Sequence, residues 1–266
     1  MVKKILAKVY IYLVLFIMYA PILLLMIYSF QDTQYIHFGS YGELSFNLYA
    51  KLFENEEIMT ALWNTVLIAV ASAVVATILG TIGAIGIHYS KRKVKNAVDM
   101  MSQIPVVNAE IVTALALTIL FVAVQAEFSF LTLLIGHVVL TVPFVVLNVI
   151  PKLKQMDVNT YEAALDLGAT PTRALFQVII PEILPGVFSG FMLSITLSLD
   201  DYIITAFTRN DSFQTLSTYI YGVTAKGPLP SELRALTTIL FVGIFAVLIV
   251  YNILVDKKTK SKRRVR

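Results

Sequence analysis

The chain has 266 residues, of which 58% are hydrophobic and only 14% charged, with no cysteine and a formal net charge of +4. A soluble domain of this length needs more surface charge than that, so the composition points to a membrane protein. Without cysteine there is neither a disulfide framework nor a thiolate metal site, and His37, His88 and His137 show no ligand spacing and read as packing or interfacial residues.

A first apolar span is predicted from about Ile5 to Phe30, opened by Lys3, Lys4 and Lys8. It outruns a signal-peptide core and lacks a small-residue cleavage site, so it reads as an uncleaved helix. Residues 31–60 form a polar loop in which Phe46, Leu48, Tyr49, Leu52 and Phe53 pattern as an interfacial amphipathic helix. The second span runs from about 61 to 87 and carries a stripe of Ala69, Ala73, Ala76, Gly80 and Gly83 that suits close helix packing. Lys91, Arg92, Lys93 and Lys95 follow. A third span over 104–124 contains Glu110, and a short turn at Gln125–Phe128 leads to a fourth over 130–150 with Pro143.

The loop 151–185 has its own grammar. Pro151 is expected to close the fourth span, and Asp157 or Asn159 to cap a helix carrying Glu162 and Asp166. Gly168 falls where that helix would end in a left-handed residue. Pro171 starts a second helix through Ala174, Leu175, Val178 and Ile179, which Pro181 and Pro185 are expected to bend. The small Ala163 and Ala164 would let another backbone come close. A fifth span over 186–207 holds Asp200 and Asp201, residues 208–234 are polar, and a sixth span covers 235–255. The tail 256–266 is a basic run, solvated at the membrane surface. No repeat or soluble domain stands out, so residues 1–266 read as one all-α, six-span transmembrane domain.

Six spans put both termini on one side. That side carries seventeen of the twenty-one Lys and Arg residues, which by the positive-inside rule makes it cytoplasmic, along with the 151–185 loop. This distribution, rather than a basic face, accounts for the net charge and argues against nucleic acid as a partner.

No phosphate-binding loop of the Gly-x-x-x-x-Gly-Lys-Ser/Thr kind occurs, nor any nucleophile set or metal cluster, so no cofactor and no ATP hydrolysis are expected of this chain. The unusual residues are acids in apolar spans. A carboxylate deep in the bilayer costs about 3 kcal/mol on insertion scales and normally faces a cavity or a partner. Fourteen residues past Gly186, Asp200 lies roughly 21 Å along a helix, beyond the middle of the membrane. Glu110, five residues past Pro105, lies roughly 8 Å from the cytoplasmic end by the same rise. An acidic path without a built-in counter-charge suits a cationic passenger, with Tyr202 and Phe207 as cation–π partners. The competing reading makes Asp200–Asp201 a helix break or a pair bonded to a neighbouring subunit, and lets Glu110 reach interfacial water.

The spacing Glu162-Ala163-Ala164, Gly168, Val178-x-Ile180-Pro181 resembles the cytoplasmic loop signature of ABC importer permeases. Leu197-Ser198-Leu199-Asp200-Asp201-Tyr202 and the run from Pro228 to Thr238 are similar to the second permease subunit of spermidine/putrescine importers, and Asn47-Leu48-Tyr49, Leu52-Phe53 and Asn64-Thr65 to the wider superfamily. The resemblance implies a bacterial inner-membrane protein in which Tyr161, Glu162, Ala163, Ala164, Gly168 and Pro181 form a coupling helix that docks on a separate ATPase. It implies a heterodimer with a homologous permease, two ATPase copies, and an extracytoplasmic solute-binding protein. Asp200, Asp201, Tyr202 and Glu110 would then meet the passenger. Another solute (an iron complex, thiamine, a phosphonate), a proton-coupled carrier and a membrane scaffold are the alternatives.

Overall fold

In a computed structural model the protein is described over residues 2–33, 44–91, 93, 109–246 and 249. Among these residues every regular element is helical. The helices are α1 Val2–Tyr28, α2 Asn47–Glu54, α3 Glu56–Tyr89, α4 Glu110–Ala123, α5 Phe130–Gln155, α6 Val158–Asp166 and α7 Pro171–Ala174. A π-helical turn, Leu175–Ile179, joins α7 to α8 Ile180–Asp200; α9 Ile203–Thr208, α10 Leu216–Thr224 and α11, residues 232–246, complete the order. Among the described residues four helical stretches are long and apolar enough to cross a membrane: Lys8–Tyr28, Glu56–Tyr89, Phe130–Gln155 and Pro171–Asp200. Residues 104–108, 250–255 and the tail 256–266, with His37, Arg92 and Lys95, lie outside the described residues.

The chain divides into two units, Met1–Met59 with Val223–Arg266, and Thr60–Gly222. In the first, Tyr49 of the expected amphipathic helix shares a hydrogen bond of 2.8 Å with Ser29. Leu48 and Leu52 are buried while Phe46 and Phe53 stay exposed. Lys51 pairs with Asp32 at 2.8 Å. Arg234 of α11 is buried and donates to the backbone carbonyls of Tyr28 and Thr33. The flanks of α1, Tyr10, Tyr12 and Phe16 among them, are exposed and apolar, as a lipid-facing helix requires.

The second unit is centred on Val145 of α5. Ala76 and Ala84 of α3, Val145, Val149 and Leu153 of α5, Ile179 of the π turn and Ile183 of α8 belong to one buried cluster. Small residues let the helices approach: Cβ atoms added at Gly80 and Gly190 would lie 2.7 Å and 3.1 Å from Val145. Among the described residues Gly83 takes no part, since none of them comes within 4 Å of such an atom there.

Three helix boundaries differ from those expected. Pro151 does not close the fourth helix, which runs on to Gln155. A proline costs a helix about 3 kcal/mol, whereas burying each of Val149, Ile150 and Leu153 on either side of it returns about 1.5–3 kcal/mol. The fifth helix starts ahead of Gly186, at Ile180, with Pro181 in its first turn, where a missing N–H costs little, and Pro185 inside it. The helix expected from Gly186 to Phe207 instead stops at Asp200. Asp201 is extended, with φ −67° and ψ 127°, and α9 begins two residues later.

Candidate functional site

Two places in the second unit gather the residues singled out in the sequence. The first is the break between α8 and α9. There the Asp201 carboxylate accepts from the backbone N–H of Ile204 at 3.1 Å and of Thr205 at 2.8 Å, and from the Thr205 hydroxyl at 2.8 Å. These bonds satisfy the free donors at the start of α9, the capping role for which Asp is favoured. Asp201 is 6% exposed, whereas its neighbour Asp200, the last residue of α8, is exposed.

His137 of α5 reaches the same point from the other side and is fully buried. Its Nε2 lies 2.9 Å from Thr205 Oγ1 and 3.6 Å from Asp201 Oδ2, and its Nδ1 lies 2.7 Å from Ser198 Oγ on α8. Ser72 of α3 donates to Ser198 Oγ at 3.2 Å. A neutral imidazole satisfies this chain throughout: Ser72 to Ser198, Ser198 to Nδ1, Nε2–H to Thr205, and Thr205 to Asp201. Four helices thus meet around one histidine that the sequence marked only as a packing or interfacial residue. The available signal was polar residues inside apolar helices, with Ser194 and Ser198 four positions apart on one helix face.

Glu110, exposed, is the first residue of α4 and follows an extended Ala109. The count from Pro105 that placed it near the cytoplasmic end runs over residues 105–108, which lie outside the described residues. In the structure α4 runs beside α9: Ala114 packs against Ile204, and Thr118 donates to the Phe207 carbonyl at 3.1 Å. Glu110 is accordingly within electrostatic reach of Asp201 and Asp200. Tyr202 turns away and stacks on Tyr221 of α10, ring centres 4.4 Å apart, while Phe207 packs on the Ala114–Leu140–Ile204 cluster.

The second place is the hairpin of α6 and α7. Asp157 caps α6, accepting from Asn159 N–H at 3.0 Å. Gly168 then takes φ +86°, and the N–H of Ala169 returns to the Ala164 carbonyl at 3.0 Å, closing the helix with a left-handed residue. Thr170 caps α7, with Pro171 in its first turn. Glu162, Ala163, Gly168 and Pro181 are exposed and Ala164 is half-buried. Leu167 is 90% exposed, an apolar side chain that nothing among the described residues covers. Tyr161 points inward to the Val145 cluster and lies 5.7 Å from the ring of Tyr89.

Long apolar helices, one of them broken at a buried carboxylate, define a helical multi-pass membrane protein. Residues 76–260 match the binding-protein-dependent transport system inner membrane component, and the chain belongs to that family; it is a permease and not an enzyme. It is 34% identical over 241 residues to the spermidine/putrescine transport system permease protein PotC of Haemophilus influenzae, covering 90% of this chain and 92% of that one. To the putrescine transport system permease protein PotI of Escherichia coli it is 33% identical over 236 residues, 85% of this chain and 83% of that one. A bacterial ABC transporter involved in the import of the acidic polysaccharide alginate shares the fold, with a TM-score of 0.71 over 96% of both chains at 15% identity.

Proposed function

We propose that the chain is a permease subunit of an ATP-driven importer for polyamines, spermidine or putrescine, and forms half of the translocation pathway beside a homologous second permease. The observation that carries this reading is the 34% identity, over nine-tenths of both chains, to a permease named for spermidine and putrescine. The acids are consistent with it. Asp200 and Glu110 are exposed on this subunit, and a carboxylate left against lipid costs about 3 kcal/mol, so both need water, a partner or a cation. An oligoamine supplies the cation. The fold alone does not choose the passenger, since an alginate importer shares it.

In this reading α4 and α11 belong to the third and sixth of six spans, both termini are cytoplasmic, and the α6–α7 hairpin is the coupling element. Exposed Glu162, Ala163 and Leu167 form its docking face, and Tyr161 transmits movement into the Val145 cluster. Two ATPase copies bind below and a solute-binding protein delivers from outside. ATP-driven closure tilts the helices through α7 and the π turn, and a central cavity alternates between the two sides.

The test is uptake of labelled spermidine by cells carrying the full set of subunits, with Asp200→Asn beside the unaltered chain. Uptake should fall about tenfold or more while assembly and basal ATPase activity persist. An unaltered complex that moves neither spermidine nor putrescine removes the polyamine reading.

A further inference from the structure

We propose that the adjacent acids have opposite tasks and that His137 is the positioning residue that separates them, anchoring Asp201 in the interior so that Asp200 is turned into the pathway. The proposal deepens the transport reading and rests on it for the passenger, but its geometry stands on this chain alone.

On an unbroken helix, residues 200 and 201 would stand about 100° apart and both could flank one cavity. Here the extended backbone at Asp201 reverses the second side chain. Its carboxylate is consumed by three donors from α9, and its own carbonyl accepts from Ser217 at 2.7 Å. Such a side chain has no free face to offer a passenger. Asp200 makes the opposite case, since it is exposed at the end of a membrane-crossing stretch.

What holds the break in this sense is the histidine. Thr205 gives its one proton to Asp201 and must accept from a donor, which His137 Nε2–H supplies. Nδ1 takes the proton of Ser198, three residues before Asp201 on α8. One ring therefore clamps the end of α8 to the start of α9. An apolar replacement would leave the Ser198 and Thr205 hydroxyls short of a partner in a dry interior, at a cost comparable to the bonds that fix the break.

The absence of cysteine from the chain makes the test direct. In the complete transporter, Asp200→Cys and Asp201→Cys are exposed to the cationic thiol reagent methanethiosulfonate ethyltrimethylammonium, and modification is read by mass on this subunit. We expect the thiol of Asp200→Cys to react at least ten times faster than that of Asp201→Cys. Adding His137→Leu should slow Asp200→Cys at least fivefold. Adding His137→Gln, whose amide can both donate to Thr205 and accept from Ser198, should restore most of the rate. Equal reactivity at the two positions, or a rate at Asp200→Cys indifferent to His137→Leu, overturns the proposal. If His137→Leu does not assemble, Ser198→Ala removes the hydroxyl that joins Nδ1 to Ser72 and should slow the same thiol at least twofold; no change there also overturns it.

A transport cycle gives the second readout. His137→Leu should raise the KM for spermidine severalfold in the parent and by less than twofold when Asp200→Asn is already present, because the histidine acts through that acid. Independent effects would mark a merely structural role and overturn the assignment. Labelling needs no passenger, so a complex that moves no polyamine would remove the substrate reading while leaving the labelling result to decide this one.

Discussion

Replacing Gly136 by alanine tests whether α9 is held rigidly against α5. A Cβ there would lie 2.7 Å from Ile204 Cγ2 and 3.0 Å from Thr208 Oγ1, both on fully buried residues. Neither neighbour can swing aside, because each atom sits on a branched Cβ. Nor can the helix slide, since Asp201 caps its start and Thr132 donates to the Thr208 carbonyl at 2.9 Å. Overpacking of this kind costs about 1–3 kcal/mol. Alanine also gains about 1 kcal/mol over glycine inside a helix, which would blur the sign. Gly83→Ala supplies the control, as among the described residues no neighbour lies within 4 Å of a Cβ there, so it receives the gain alone. The difference between the variants is then the overpacking term. At about 2–4 °C per kcal/mol, Gly136→Ala should melt about 2–12 °C below Gly83→Ala. The assay is thermal unfolding of the purified complex at one fixed scan rate, since unfolding of such assemblies is governed by rate. Melting of both variants together within a degree would refute the close packing of α5 on α9.

Gly168 should tolerate Asn better than Val, because φ +86° suits Asn and strains a β-branched residue. Co-purification of the ATPase, read by densitometry, should fall at least fivefold for Gly168→Val and less than twofold for Gly168→Asn. At the opposite end of the chain, the hydrogen bond from Lys51 first, and its charge with Arg234 further off, hold the Asp32 carboxyl below the usual carboxylate range despite slight burial. A lowered folded-state value means that this contribution is present above the ordinary carboxylate pKa and is lost as pH falls through the lowered value. The pair is well exposed, so Lys51→Met should cost less than about 1 kcal/mol near neutral pH, and the loss should shrink in high salt.

What the sequence made legible was what local chemistry decides. Long apolar runs can only be membrane-crossing helices, and Asp157, Gly168 and Pro171 have narrow backbone preferences that pin the α6–α7 hairpin residue by residue. What stayed hidden was decided by burial. Pro151 read as a stop, yet the Val145 cluster spans it and outweighs its cost, and Pro181 and Pro185, read as bends after a separate helix, fall within α8. The break at Asp201 was open as one reading among others, because nothing local distinguishes a helix-ending aspartate from one that lines a path. Its partners come from positions 137, 198, 205 and 217, and only the fold brings these together.

That convergence also explains residues whose role the family resemblance left unstated. Asn64 donates to the Gln214 carbonyl at 3.0 Å, and Thr65 accepts the Leu216 N–H at 2.7 Å, so this pair on α3 fastens the segment leading into α10. Ser217, one residue further on, donates to the Asp201 carbonyl. Thr65, Ser72, His137, Ser198, Thr205 and Ser217 thus form two lines of bonds that end on Asp201, one through its carboxylate and one through its backbone. A polar side chain within an apolar helix needs a partner, and here the partners lead to one peptide unit. A break fixed from both sides can present Asp200 in one orientation, which a flexible loop could not do.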